Sequence, residues 1–206
     1  TGETLLMLAI CLSAAILIGG ALGLLVFLTS RGQSLERFRA FNLIANGVIN
    51  VVRSFPFIIL LVAISPFTRV IAGTSIGPLA ASVPLSIAAI FYFARLIEQT
   101  LRDLPRGVIE AAEAMGASPL QIIRHVLLVE ARSGLVLAVT VLAVSFLSYS
   151  AVAGVVGGGG IGDLAIRYGY YRFQTDVMVI TIVLLIILVQ SVQFFGQWAA
   201  RRVDKR

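Results

Sequence analysis

The chain has 206 residues, of which 59% are hydrophobic and 13% charged, and its mean hydropathy is +1.00. Soluble domains carry about 25% charged residues, so an ordinary soluble fold is excluded and an all-α integral membrane protein is expected. The net charge of +6 does not point to nucleic acid, because the arginines sit at the ends of apolar stretches and not on one basic face.

Residues 4–28 form the first expected span, long enough for the roughly twenty residues that a crossing needs. The chain starts at Thr1, so a few initiating residues are expected to precede it. No basic segment leads into this span, and Arg31, Arg37 and Arg39 follow it. That pattern differs from a signal peptide and places the N-terminus outside and the following loop in the cytoplasm. Ala15, Gly19 and Gly23 recur every four residues, a small-residue stripe that lets another helix approach closely. Cys11 is the one cysteine and His125 the one histidine, so neither a disulfide framework nor a metal site is expected, and no cofactor.

The second span is expected over residues 43–65. Asn46, Asn50 and Arg53 lie close together and precede Ser54, Phe55 and Pro56. Pro56 removes a backbone hydrogen bond and should bend or break the helix, freeing carbonyls near Val52. A charge midway across a bilayer costs about 2.5–3.5 kcal/mol on insertion scales, so Arg53 must be paired or face water. Asn50, Arg53 and Ser54 are therefore candidates for a translocation path or gate; the alternative is that Arg53 braces the broken backbone or bonds a neighbouring subunit. Residues 66–78 read as an outside loop. The third span, 79–97, contains Pro84 and ends in Arg95, Glu98 and Arg102, whose spacing suits a solvated, structural helix end.

Residues 108–130 cannot cross a membrane. Val108, Ala111, Ala112 and Met115 make one face of a first short helix, with Glu110 and Glu113 on the other. Gly116 should stop it in the left-handed conformation. Ser118 then caps a second helix with Pro119 at its first position and Gln121 completing a capping box. Leu120, Ile123, Val126 and Leu127 form the apolar stripe of that second helix. A helix–glycine–helix knuckle between hydrophobic spans suits mechanical contact with a soluble partner.

This stretch resembles the Glu-Ala-Ala loop of ABC importer permeases: Glu110, Ala111, Ala112, Gly116 and Leu128 fall in register. Val126 stands where that family has isoleucine, and Val129 where it has proline. The resemblance implies that the knuckle docks into a cleft on a cytoplasmic ATPase, with Glu110, Ala111, Ala112 and Gly116 as coupling residues.

The fourth span is expected over 133–154, with Ser145, Ser148 and Tyr149 on one face. Polar side chains in membrane helices bond a carbonyl or another helix, and these three are also candidates for the path. In the outside loop, 154–176, Gly157, Gly159 and Gly162 satisfy Gly-x-Gly-x-x-Gly. No strand precedes them and no Lys-Ser/Thr follows, so they read as a tight re-entrant turn and not a nucleotide site. Tyr168, Tyr170, Tyr171 and Phe173 suit an interfacial aromatic belt. The fifth span, 177–198, carries Gln190, Gln193 and Gln197 on one face, expected as helix-packing contacts. Arg201, Arg202, Lys205 and Arg206 end the chain in the cytoplasm. Eleven of the sixteen Lys and Arg thus lie in segments expected inside, and three (Arg69, Arg167, Arg172) in those expected outside.

The runs from Arg53-Ser54-Phe55-Pro56 to Leu61, and from Tyr149 through the glycines to Tyr170, are similar to the methionine-importer branch of these permeases, and with the knuckle the likeness covers all five spans. It implies a single domain over 1–206 in a bacterial inner membrane, a homodimer, two cytoplasmic ATP-binding subunits, and an outside methionine-binding protein that delivers substrate. A permease for another amino acid or small polar solute shares every physical feature. A secondary transporter would keep an intramembrane carboxylate for ion coupling, whereas every Asp and Glu here falls at a span end or in a loop. A purely structural subunit fits poorly with Arg53 beside Pro56. No nucleophile–base pair or phosphate loop is visible, so the chain is not expected to be an enzyme.

Overall fold

A close approach between the first and third spans sets the frame of the protein. The computed structural model describes residues 1–33 and 35–204, so Lys205 and Arg206 of the basic tail lie outside the described residues. Helix α1 (Gly2–Leu28) widens into a π-turn at Ala15–Gly19. Its Gly19 and Gly23 press against the backbone of Ile90 and Ala94, and a Cβ at either position would overlap those carbonyl oxygens. The small-residue stripe is therefore a helix contact, with Ala15 fully buried on the same face.

The second span is a bent pair. Helix α2 (Arg39–Ser54) and helix α3 (Phe57–Ala63) meet at 102° across Phe55 and Pro56. Pro56 has no N–H to donate, and Phe55 before it is extended at φ −73°, ψ 129°. The break frees less than expected at Val52, whose carbonyl accepts from the Phe55 N–H at 3.3 Å. Residues 66–78 are not a plain loop either: α4 (Ser65–Ala72) starts with Pro66 in its first turn and ends at Gly73, φ 72°.

Helix α5 (Pro78–Arg102) is the central element, running five residues past the expected end of its span and uninterrupted at Pro84. It packs against α1, α2 and α8 (Arg132–Val155). Leu85, Ala89 and Phe93 of α5 meet Met7 and Cys11 of α1 and Leu142 and Phe146 of α8 in one buried core. That core continues into the knuckle through Ile109, Ile122 and Leu127. The knuckle consists of α6 (Arg106–Ala114), starting two residues before the expected segment, and α7 (119–130), which includes a π-helical stretch over Ile122–Leu127. Helix α9 (160–170) follows the glycine turn after α8, and α10 (Thr175–Val203) packs along α8.

Helices α1, α5, α8 and α10 are each long and apolar enough to cross a membrane, and the bent pair makes a fifth when its two halves are counted as one span. Helix α10 is mostly exposed. Its Gln190, Gln193 and Gln197 do not pack within the chain as expected, because the contact with α8 runs along Leu188, Val189 and Gly196.

Candidate functional site

The hydrogen bonds that close the turn of the knuckle come from its own residues. At the end of α6 the Gly116 N–H donates to the Glu113 carbonyl at 2.9 Å and the Ala117 N–H to the Ala112 carbonyl at 3.0 Å. That pair of bonds is a Schellman closure, which requires a positive φ, and Gly116 has φ 78°. Two residues later the Ser118 N–H donates to Gln121 Oε1 at 2.8 Å and the Gln121 N–H to Ser118 Oγ at 3.4 Å, the expected capping box.

The buried face of the knuckle differs from the expected one. Ile109 and Ala112 of α6 and Ile122 and Leu127 of α7 point into the core. Met115 is 81% and Leu120 72% exposed, on either side of Gly116. The cause is the turn itself, which draws the two helices together over Ile109 and Ile122 and leaves the residues nearest the bend outside. Glu110 and Ala111 are exposed as well, and among the described residues Glu110 makes no ion pair. Of the four coupling candidates, Glu110, Ala111 and Gly116 thus lie at the surface, while Ala112 packs inward. Exposed apolar side chains beside an unpaired carboxylate at a rigid tip are what a docking contact needs.

The second group of candidates separates in space. Arg53 lies over the Tyr92 ring, its guanidinium carbon 5.7 Å from the centroid, a cation–π distance. Tyr149 stacks on Phe57 at 5.0 Å and meets Phe146 edge-on at 5.0 Å. Arg53, Phe57, Tyr92, Phe146 and Tyr149 enclose a small cavity of about 100 Å³ where α2 breaks. Arg53 makes no hydrogen bond to the broken backbone among the described residues, and its contact is with the Tyr92 ring of α5. Ser54 donates to the Asn50 carbonyl at 2.7 Å and Ser148 to the Val144 carbonyl at 3.4 Å, both local helix bonds. Ser145 does not line the cavity.

Asn50 instead joins a charged cluster that spacing alone did not reveal. Its Oδ1 accepts from Arg95 at 2.7 Å, and Arg95 also pairs with Glu98. Arg102 approaches the other Glu98 oxygen at 2.7 Å as an ion pair without hydrogen-bond alignment. The Glu98 side chain is 1% exposed, so this end of α5 is not the solvated one expected. Burial of Glu98 is caused by the convergence of α1, α2 and α5, and a buried carboxylate requires its cations. The Asn50–Arg95 bond ties the broken span to the central helix.

At the opposite end, the glycines after α8 build a turn whose following helix is capped from far away in the chain. Glu3 Oε2 accepts from the Gly160 N–H at 2.7 Å, and Thr4 Oγ1 from the Ile161 N–H at 2.9 Å. The amides that could have met a phosphate are thus occupied by the chain's own side chains.

Residues 15–206 match the family described as "Binding-protein-dependent transport system inner membrane component". The "Probable D-methionine transport system permease protein MetI" of Vibrio cholerae serotype O1 is 48% identical over 206 residues, 100% of this chain and 91% of that protein. The "Methionine import system permease protein MetP" of Bacillus subtilis is 42% identical over 88% of this chain and 82% of its own length. A chain in the solved structure "Inward facing conformations of the MetNI methionine ABC transporter" superposes with a TM-score of 0.95 at 44% identity, covering 98% of this chain and 94% of that one.

Proposed function

Because the chain belongs to the family of binding-protein-dependent transport system inner membrane components, we propose that it forms the path for methionine, both enantiomers, through the inner membrane in an ATP-driven ABC importer. The observation that carries this reading is the superposition, at 0.95 over 98% of the chain, on the permease of a methionine transporter. In this reading two copies pair, hydrolysis is done by separate ATPase subunits, and an outside binding protein delivers the substrate. The exposed tip formed by Glu110, Ala111, Met115, Gly116 and Leu120 docks on the ATPase. Ala112 supports that tip from below. Arg53 and Tyr149, at the cavity beside the broken span, line the path or its gate. Asn50 positions the broken span through Arg95. The charge asymmetry supports an outside N-terminus and a cytoplasmic knuckle and C-terminus.

Reconstitution with the ATPase and binding protein in proteoliposomes tests the substrate. ATP-dependent uptake of L- and D-methionine should exceed that of histidine; equal uptake of histidine would replace this assignment with a broader amino-acid permease. Orientation is read separately, since the buried Cys11 should give no background with thiol reagents. An impermeant maleimide should label Thr74→Cys from outside and reach Glu113→Cys only after the membrane is opened. The reverse pattern would invert the topology.

A further inference from the structure

At the end of the molecule that carries the knuckle, a cavity of about 470 Å³ opens between the C-terminus of α1, the start of α2, the end of α5 and the start of α6. Arg31, Arg39, Arg102 and Arg106 all line it. Only Arg102 has a carboxylate partner among the described residues, Glu98. The others are not there to cap α1, because its last carbonyls are already satisfied: Leu25 by Thr29, Phe27 by Ser30, and Val26 by Asn42 Nδ2 at 2.6 Å. Nor do they serve the helices that follow. Arg39 and Arg106 are the first residues of α2 and α6, the end at which a helix dipole disfavours a cation. Arg31, Arg39 and Arg106 thus line one cavity without an ion-pair partner among the described residues. The apolar part of its wall includes Phe27, Leu101 and Ile109.

We propose that this cavity binds the phosphate headgroup of an anionic phospholipid, with Arg31, Arg39 and Arg106 on the phosphate and the apolar wall against the glycerol and upper acyl chain. A basic pocket between membrane helices at the bilayer surface recognises anionic headgroups through charge and bidentate guanidinium bonding. Because α6 supplies Arg106 and Ile109, a bound lipid braces the root of the knuckle. Which leaflet supplies the lipid rests on the orientation proposed above; binding itself does not.

The permease–ATPase complex, in nanodiscs of phosphatidylcholine with increasing phosphatidylglycerol, is released into native mass spectrometry and its retained lipids are counted. Phosphatidylglycerol should stay on the unmodified chain and on an Arg201→Gln/Arg202→Gln control, which removes two exposed cations elsewhere. Arg31→Gln and Arg39→Gln should each weaken its apparent affinity about fivefold. Both leaflets of such a nanodisc are alike, so a reversed topology in the maleimide experiment would leave this result unchanged. Equal retention in the cavity variants and the control would overturn the proposal. So would inorganic phosphate protecting the detergent-solubilised complex from thermal unfolding as well as phosphatidylglycerol does, which would make the ligand a free anion. Loss of the ATPase from the cavity variants with lipid retention intact would assign the arginines to the partner subunit instead.

Discussion

The two glycine turns at opposite ends of the molecule reverse the chain in opposite ways. Gly116 is required for its torsion angle alone: a Cβ there would meet nothing within 4 Å, and every bond that shapes the turn comes from residues 112–121. The glycine turn between α8 and α9 is required for its packing. A Cβ at Gly154 would strike the backbone of Gly162 and Asp163, and one at Gly162 the Ala151 carbonyl. The first amides of α9 are then closed by Glu3 and Thr4, more than 150 residues earlier in the chain. A turn built from its own residues can move as a unit and transmit force. A turn closed by three separate elements holds those elements in register.

The largest expected effect comes from breaking the packed turn. In Gly162→Ala the added methyl has no flexible neighbour to displace, since the atoms it meets belong to the backbone of Ala151. Overpacking of that kind costs about 3 kcal/mol or more. The variant should lose most of its folded yield in detergent, read by fluorescence-detected size-exclusion chromatography across a temperature ramp. A melting curve like that of the unmodified chain would show that α8 and α9 separate easily and that the turn is not fixed by packing.

A smaller loss tests the remote cap. Thr4 is 2% exposed and its hydroxyl accepts from the buried Ile161 N–H. Thr4→Val keeps the volume and removes the acceptor, which leaves a buried donor unpaired at about 2 kcal/mol. Hydrogen–deuterium exchange should quicken at residues 159–164 and not at 112–121. Glu3→Gln, which keeps an acceptor oxygen, should exchange more slowly there than Glu3→Ala. Uniform exchange across the chain would mean that the cap contributes nothing local.

The same contrast explains what the sequence discloses. The Schellman glycine, the capping box, the small-residue stripe of α1 and the break at Pro56 are local patterns, and each has its expected geometry. What spacing does not show is partnership between distant residues. Glu98 reads as a solvated helix end because its arginines are three and four residues away, and only the convergence of α1, α2 and α5 buries it. The aromatic cavity at Arg53 joins four helices, α2, α3, α5 and α8, and Glu3 and Thr4 carry no sign of their long-range role. Periodicity also misassigns part of the knuckle stripe: Ala111, Met115 and Leu120 are exposed while Ile109 and Ile122 are buried, and Met115 and Leu120 flank the bend, where helical phase no longer decides which side is buried.

The smallest expected change in stability, and the largest in coupling, belongs to the knuckle. A β-branched residue in the left-handed region costs about 1 kcal/mol, and the turn at Gly116 is exposed and free of neighbours, so Gly116→Val should fold and dimerise with a slightly lowered melting temperature. The strain would instead be relieved by re-aiming α7 and with it Leu120. Glu110→Ala removes an exposed carboxylate with no ion-pair partner in the chain, so the melting temperature should not move. If Glu110 is paired across the docking contact, the loss appears there, where truncating one member of a buried charge pair costs about 2–5 kcal/mol. Co-purification of the ATPase with each variant, beside ATP-driven methionine uptake, separates the two effects. Both variants should elute as folded dimers while losing the ATPase and uptake. Retention of the ATPase with undiminished uptake in both would remove Glu110 and Gly116 from the coupling contact and leave the knuckle as a structural turn.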